Sequence, residues 1–193
     1  MQKLDKRIEK VLFTKQQIDA AIKKAGKWID KNYKGKKPLL VGILKGVVPF
    51  FGHLVVNIKT DLTIDFMVFS SYHGNVKATT EPKIVMDLKN DIKGKDVIIV
   101  EDIVDTGKTL FAVTKMLKKR KPRSLKVVTL LDKKDSRTVN FKPDYNCFVV
   151  PNYYIVGFGF DYDETLRNLP YIAILKKEIY NKNLSTLKGA KKC

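Results

Sequence analysis

The sequence predicts an α/β fold built on an open, mostly parallel sheet flanked by helices. Three observations carry that expectation. Runs such as "PLLVGIL" (38–44) and "DVIIV" (96–100) are apolar without polar alternation, the composition of parallel strands buried on both faces. Segments with apolar residues at helical spacing separate such runs. The two kinds of segment then alternate over the middle of the chain, the order that generates a parallel sheet.

Each element has its own reason. Thr14-Lys15-Gln16-Gln17 has the pattern of a capping box. Ile18, Ala21, Ile22, Ala25 and Ile29 then recur at helical spacing, so 15–32 is an amphipathic helix. A buried strand follows over 38–44, then an apolar helix over 47–58 that tolerates Pro49 in its first turn. Residues 62–70 alternate as a strand, and 96–100 form the next. Residues 107–119 make a helix with Leu110, Thr114 and Leu117 on one face. Strands over 124–131, 147–150, 153–158 and 171–175 complete the set. Between them "SSYHGNVKATTEP" (70–82) is polar and aperiodic, either a disordered loop or a lid.

The 193 residues fit one domain, 1–193, with a single sizeable core. The N-terminus lacks the apolar stretch of roughly 7–15 residues that marks a signal peptide, and no run is long enough to span a membrane. Cys147 and Cys193 have no metal or redox spacing. The expectation is a cytoplasmic protein without a membrane partner. A net charge of +18 invites a nucleic-acid reading. The basic residues are overwhelmingly Lys, however, with arginine only at 7, 120, 123, 137 and 167. A nucleic-acid reader uses arginine for bidentate contacts and stacking, so a solvated lysine-rich surface is the better reading.

The informative stretch is "VIIVEDIVDTGKTL" (97–110), which ends a strand and opens a helix where ligands bind in such sheets. Its Gly-Lys-Thr suggests a P-loop, but the position of that motif's first glycine falls on Asp102 or Glu101. What remains is a set of backbone N–H groups from Asp105, Thr106, Gly107, Lys108 and Thr109 at a helix N-terminus, a cup sized for a monophosphate. Glu101 and Asp102 only accept hydrogen bonds when ionised, so they suit a vicinal diol, a magnesium ion, or both. Phosphate, diol and metal together describe a ribose 5-phosphate. The plain alternative is an N-capping Asp105 beside two solvated acids.

This stretch resembles the phosphoribosyl-pyrophosphate motif of the type I phosphoribosyltransferases. "ILKGVVPFF" (43–51) resembles the family's pyrophosphate loop, and "SSY" (70–72) the start of its catalytic lid. "KPDY" (142–145) and "YYIVGFGFDYDETLRNLPYIAIL" (153–175) are similar to the purine-binding and C-terminal segments of its hypoxanthine-guanine branch. The resemblance covers about residues 5–178, with the motifs in the family's order. It implies the family fold, with a small hood built from N- and C-terminal segments. It also implies Mg²⁺-dependent purine salvage: phosphoribosyl pyrophosphate and hypoxanthine or guanine give IMP or GMP and pyrophosphate. A homodimer or homotetramer is implied too. The rival is an RNA-binding regulator on the same fold, although that relative's motif generally lacks an acid where Asp105 stands.

The resemblance further implies residue roles. Glu101 and Asp102 hold the ribose diol and a Mg²⁺, Asp105–Thr109 cradle the 5-phosphate, and Asp105 faces purine N7 as the base. Lys45 and Gly46 contact pyrophosphate after a cis Leu44–Lys45 peptide, with Ser71, Tyr72 and Arg167. Lys142 reaches the purine 6-oxo group, Tyr154 stacks on the ring, and the Ile155 backbone reads its exocyclic edge. Asp161 binds a second Mg²⁺ beside the purine and pyrophosphate. His53 and His73 have no metal-ligand neighbours and take no role.

Overall fold

The computed structural model describes residues 4–70 and 83–181. Contacts group these residues into two compact units, one over 19–152 and one combining the segments up to Ile18 and from Tyr153.

The larger unit carries the parallel sheet. Its strands are β2 (Leu39–Ile43), β3 (Thr63–Ser70), β4 (Lys83–Met86), β5 (Asp96–Val104), β6 (Ser124–Asp132) and β7 (Tyr145–Val149). They lie in the order β4-β3-β2-β5-β6-β7, parallel throughout except for β4 on the edge. Helices α1 (Lys15–Asn32, shared between the units), α2 (Val48–Val55) and α3 (Lys108–Lys119) accompany the sheet. All five residues of β2 are buried, and Val97 to Val100 of β5 are fully so. Leu39, Val41, Ile99, Val113, Leu117 and Val127 form the heart of one core cluster. The capping box is real: Thr14 N–H donates to Gln17 Oε1 at 2.9 Å, and Gln17 N–H to Thr14 Oγ1 at 3.3 Å. Pro49 falls in the first turn of α2, where a missing N–H costs little. On α1, Trp28 packs at 5.5 Å between centroids against Tyr145 of β7, and the half-buried Cys147 thiol donates to Ala21 O.

Three departures from the sequence expectation have physical causes. β5 does not stop at Val100, because its ladder with β6 continues through Glu101↔Thr129, Ile103↔Leu131 and Val104↔Asp132. The two acids therefore stand inside the strand's last turn of pleat. β4 is a short, largely exposed edge strand whose pattern has no buried position to detect. The expected strand over 153–158 shrinks to β8 (Ile155–Val156), because Gly157 turns the chain at φ 90°, where a Cβ would meet Tyr171 O at 2.1 Å.

β8 does not extend the parallel sheet. With β1 (Ile8–Phe13) and β9 (Ile172–Leu175) it makes a separate antiparallel sheet in the smaller unit, ordered β1-β9-β8. β1 escaped prediction because Glu9 and Lys10 interrupt its alternation. Ile8, Val156, Leu166, Ala173 and Leu175 form that unit's own core, so the terminal segments build it together.

β5 is anchored at its start. Asp96, 1% exposed, accepts two bonds from the Arg123 guanidinium and one from Ser124 Oγ at 2.6 Å. The Arg123 bonds hold its carboxyl below the usual range. A depressed acid contributes stability above its ordinary pKa and loses it as pH falls through the lower, folded value. Asp96→Asn should cost about 1–3 kcal/mol at pH 7. In urea titrations its deficit against the parent should shrink below about pH 4; a deficit independent of pH would show that the charge contributes nothing.

Candidate active site

The turn between β5 and α3 consists of Asp105, Thr106 and Gly107. Gly107 sits at φ 81°, and a Cβ there would lie 2.8 Å from Arg137 Cδ, so both backbone and space call for glycine. It is the N-cap of α3 and offers no side-chain cap; the first helical N–H, that of Lys108, makes a long bond to Thr106 Oγ1 at 3.4 Å. The first-turn N–H groups of a helix have no partner within it, and aligned peptide dipoles make that end electropositive. Asp105, Thr106, Lys108 and Thr109 are all exposed around it. The turn can hold an oxyanion.

Glu101 and Asp102 stand three to four residues upstream, at the end of β5, their carboxyls close enough to interact. Asp102 Oδ1 accepts the Ile103 N–H at 2.7 Å. Glu101 Oε2 is buried without a hydrogen-bond partner among the described residues. Burial, and then the charge of Asp102 beside it, push its carboxyl well above the ordinary range. The plain alternative of a capping Asp105 beside two solvated acids does not fit: Oε2 of Glu101 is withdrawn from water, and the N-cap is Gly107. A buried oxygen with no donor, beside a second carboxylate, is chemically suited to a cation or to hydroxyl donors. Among the described residues no three His, Cys, Asp or Glu cluster as metal ligands, so a cation here would keep water or ligand oxygens in its shell.

Other expected residues are distributed as follows. The Leu44–Lys45 peptide is cis, with Lys45 exposed and Gly46 half-buried, and Lys45 O accepts the Val48 N–H at 3.2 Å. Ser71 and Tyr72 lie outside the described residues, as does nearly all of the loop expected as a lid. Lys142 is exposed and lines a cleft of about 500 Å³ with Phe111, Lys115, Lys118 and Phe141; no residue of 101–109 lines it. In the smaller unit Tyr154 is half-exposed, stacked on Tyr180 at 5.0 Å and edge-on to Tyr162 at 5.7 Å. Its carbonyl accepts the Leu175 N–H, while Ile155 is buried in β8. Asp161 and Arg167, assigned separate ligands, are paired with each other at 2.9 Å. His53 pairs with Asp19 at 3.5 Å.

The segment after β6 escaped the sequence reading. Lys133 is only 8% exposed, with Nζ 3.6 Å from Asp105 Oδ2. Arg137 donates to Asp105 O at 2.7 Å and pairs with the buried Asp132, and Thr138 N–H donates to Thr106 O at 3.0 Å. Its one sequence signal is "LLDKKDSRT" directly after a buried strand, a place where ligand loops occur in parallel sheets.

Residues 10–164 match the phosphoribosyl transferase domain family. A hypoxanthine-guanine phosphoribosyltransferase of Streptococcus thermophilus is 50% identical over 179 residues, covering 93% of this chain and 99% of that protein. The crystal structure of a hypoxanthine phosphoribosyltransferase from Staphylococcus aureus aligns with a TM-score of 0.87 at 45% identity, covering 90% of this chain and 95% of that one. A Trypanosoma cruzi hypoxanthine phosphoribosyl transferase, studied for the role of its C-terminal region in oligomeric state and activity, aligns at 0.89 with 35% identity, covering 95% and 99%. All three relatives are named as phosphoribosyltransferases, and none as an RNA-binding regulator.

A carboxyl whose folded pKa is raised favours folding at low pH, and that contribution fades as pH rises through the raised value. Glu101→Gln removes the charge with little change of shape. In a chelating buffer at pH 8 the variant should melt roughly 2–4 °C above the parent, equivalent to about 1 kcal/mol in a chain of this size. The advantage should vanish near pH 4. A variant that melts lower than the parent at both pH values would show that Glu101 is not a stranded charge.

Proposed function

This chain belongs to the phosphoribosyl transferase family, and on that premise we propose that it salvages purines, transferring the 5-phosphoribosyl group from phosphoribosyl pyrophosphate to hypoxanthine or guanine. The bond from ribose C1 to pyrophosphate breaks, a bond from C1 to purine N9 forms, and IMP or GMP leaves with pyrophosphate. The observation that carries this reading is the pairing, on one strand-to-helix junction, of a buried unpartnered carboxylate oxygen with an uncapped helix N-terminus. No anion alone explains the acids, and no cation alone explains the turn; a phosphorylated sugar uses both.

Asp105–Thr109 receive the 5-phosphate, the hydroxyls of Thr106 and Thr109 adding donors to the backbone. Glu101 and Asp102 accept the ribose hydroxyls. They also fit Mg²⁺, a hard ion that takes one or two carboxylates and fills its shell with water and substrate oxygens. When bound there, Mg²⁺ would offset charge on the diphosphate side of the substrate. Asp161 fits a cation less well, since Arg167 and the Glu164 N–H already occupy its oxygens. We assign Lys45, Gly46 and Arg167 to pyrophosphate. Tyr154 is assigned to the purine plane and the Ile155 backbone to its edge. The carboxylate of Asp105, half-exposed beside Lys133, accepts the purine proton as N9 becomes nucleophilic. Homodimeric or homotetrameric assembly in the cytoplasm completes the proposal. No helix among the described residues is long and apolar enough to cross a membrane.

Steady-state rates with hypoxanthine, guanine and xanthine, with and without Mg²⁺, test the reaction directly. Turnover of the first two bases, abolished by chelation, is expected; no turnover with any base would end the proposal. Asp105→Asn keeps the shape of the turn but removes the proton acceptor. Its kcat should fall by about 10²–10⁴ while affinity for phosphoribosyl pyrophosphate changes little. Near-normal kcat would remove Asp105 from the role.

By resemblance we assign base choice to Lys142, although it lies exposed in a cleft that no residue of 101–109 lines. An ammonium has donors only, so it pairs with a 6-oxo group and meets the amino group of adenine donor to donor. An unpaired buried donor costs roughly 1–3 kcal/mol, or about 5- to 150-fold in preference. Adenine should therefore be a poor substrate. Lys142→Ala should raise KM for hypoxanthine and guanine and narrow the gap to adenine, leaving KM for phosphoribosyl pyrophosphate nearly unchanged. An effect confined to the phosphoribosyl pyrophosphate KM would assign Lys142 elsewhere.

A further inference from the structure

Three consecutive carbonyls leaving β5 are each held by the segment that follows β6. Val104 O accepts the Lys133 N–H at 2.9 Å, Asp105 O accepts Arg137 Nη1 at 2.7 Å, and Thr106 O accepts the Thr138 N–H at 3.0 Å. A trans peptide is planar, with its C=O and the next N–H pointing in opposite directions. Fixing the carbonyls of 104, 105 and 106 toward one side therefore turns the N–H groups of Asp105, Thr106 and Gly107 toward the other. Two of the three ties are made by backbone and would survive any side-chain change. The middle one is made by a side chain alone.

That side chain is itself fixed. The second arm of Arg137 pairs with Asp132, a carboxylate 1% exposed at the end of β6. Its Cδ lies where a Cβ on Gly107 would collide, so the stem fills the space behind the turn. A planar guanidinium can serve both oxygens at once; an ammonium is a single point charge and serves one geometry at a time. Arg137 thus spans from a buried acid in the sheet to one peptide of the turn.

We propose that Arg137 is a positioning residue for the 5-phosphate: it touches no substrate atom, but holds the Asp105–Thr106 peptide with its N–H turned toward the phosphate. This rests on the reading that residues 105–109 bind that phosphate. The bond a released peptide would forfeit is charge-assisted, and losing most of it corresponds to about 10-fold in affinity.

The test compares Arg137→Lys, Asp132→Asn/Arg137→Met and Thr109→Val with the parent. KM for phosphoribosyl pyrophosphate and for hypoxanthine, kcat, melting temperature, and the calorimetric Kd for ribose 5-phosphate are measured. Arg137→Lys keeps a cation for Asp132, so it should melt close to the parent, yet raise the phosphoribosyl pyrophosphate KM and the ribose 5-phosphate Kd about 10-fold. KM for hypoxanthine should not move. The double variant, which leaves no buried charge unpaired, should repeat the result if the single variant folds poorly. Normal ribose 5-phosphate binding in both, with Thr109→Val weakened, overturns the role of Arg137 and leaves the phosphate turn intact. Normal binding in Thr109→Val overturns the phosphate turn itself. A fall in melting temperature or kcat without any change in ribose 5-phosphate Kd also overturns the proposal, because it describes a merely structural arginine.

Discussion

The pairing of β5 with β2 on one side and β6 on the other governs where chemistry can occur in the larger unit. A parallel strand with neighbours on both edges and side chains covered on both faces must stay apolar along its length, as Val97 to Val100 do. β2 pairs only with Leu39↔Val97 through Gly42↔Val100, whereas the β6 ladder runs on to Val104. Over Glu101 to Val104, β5 is thus held by backbone bonds on one edge after its other neighbour has left. Polar side chains become tolerable there while the backbone remains rigid. The acids occupy that short interval, and the turn to α3 begins as soon as the interval ends.

Charge is partitioned by residue type. Each of the five arginines is committed to an aspartate: Arg7 to Asp5, Arg120 to Asp87, Arg123 to Asp96, Arg137 to Asp132 and Arg167 to Asp161. Forked guanidinium groups are spent where geometry must be fixed, and lysines supply most of the net charge of +18. Lys133 departs from the pattern, since it is nearly buried and leans on Asp105. The acid whose carboxyl burial pushes well above the ordinary range is likewise local. Glu101 lacks the donors that an arginine would have provided, which keeps its oxygen available to a ligand.

Much of this architecture is legible in the amino-acid sequence. The capping box, the buried run of β2 and Pro49 in the first turn of α2 each follow from one local rule, and the structure contains all three. The cis Leu44–Lys45 peptide and the separate terminal unit followed only from resemblance, since nothing in periodicity announces either. What sequence could not supply was long-range partnership. β1, interrupted by Glu9 and Lys10, does not stand out until β9 pairs with it. Arg137 is an ordinary arginine in a polar turn until the fold brings it under Gly107, thirty residues away in the chain. The mutual pairing of Asp161 and Arg167 likewise depends on a turn built by residues with positive φ, among them Phe158, Asp163, Glu164 and Leu166.

The single tryptophan gives the molecule a built-in reporter of narrow scope. Trp28 lies half-buried on α1 against Tyr145 at the far edge strand of the sheet. Its fluorescence should follow the undocking of α1 from β7, through loss of tyrosine contact and gain of water. Tyrosine absorbance sums over both units, since Tyr33 and Tyr145 belong to the larger one while Tyr154, Tyr162 and Tyr180 cluster in the smaller. The indole therefore reports one place in the chain, the seat of α1 on the sheet, without an attached dye.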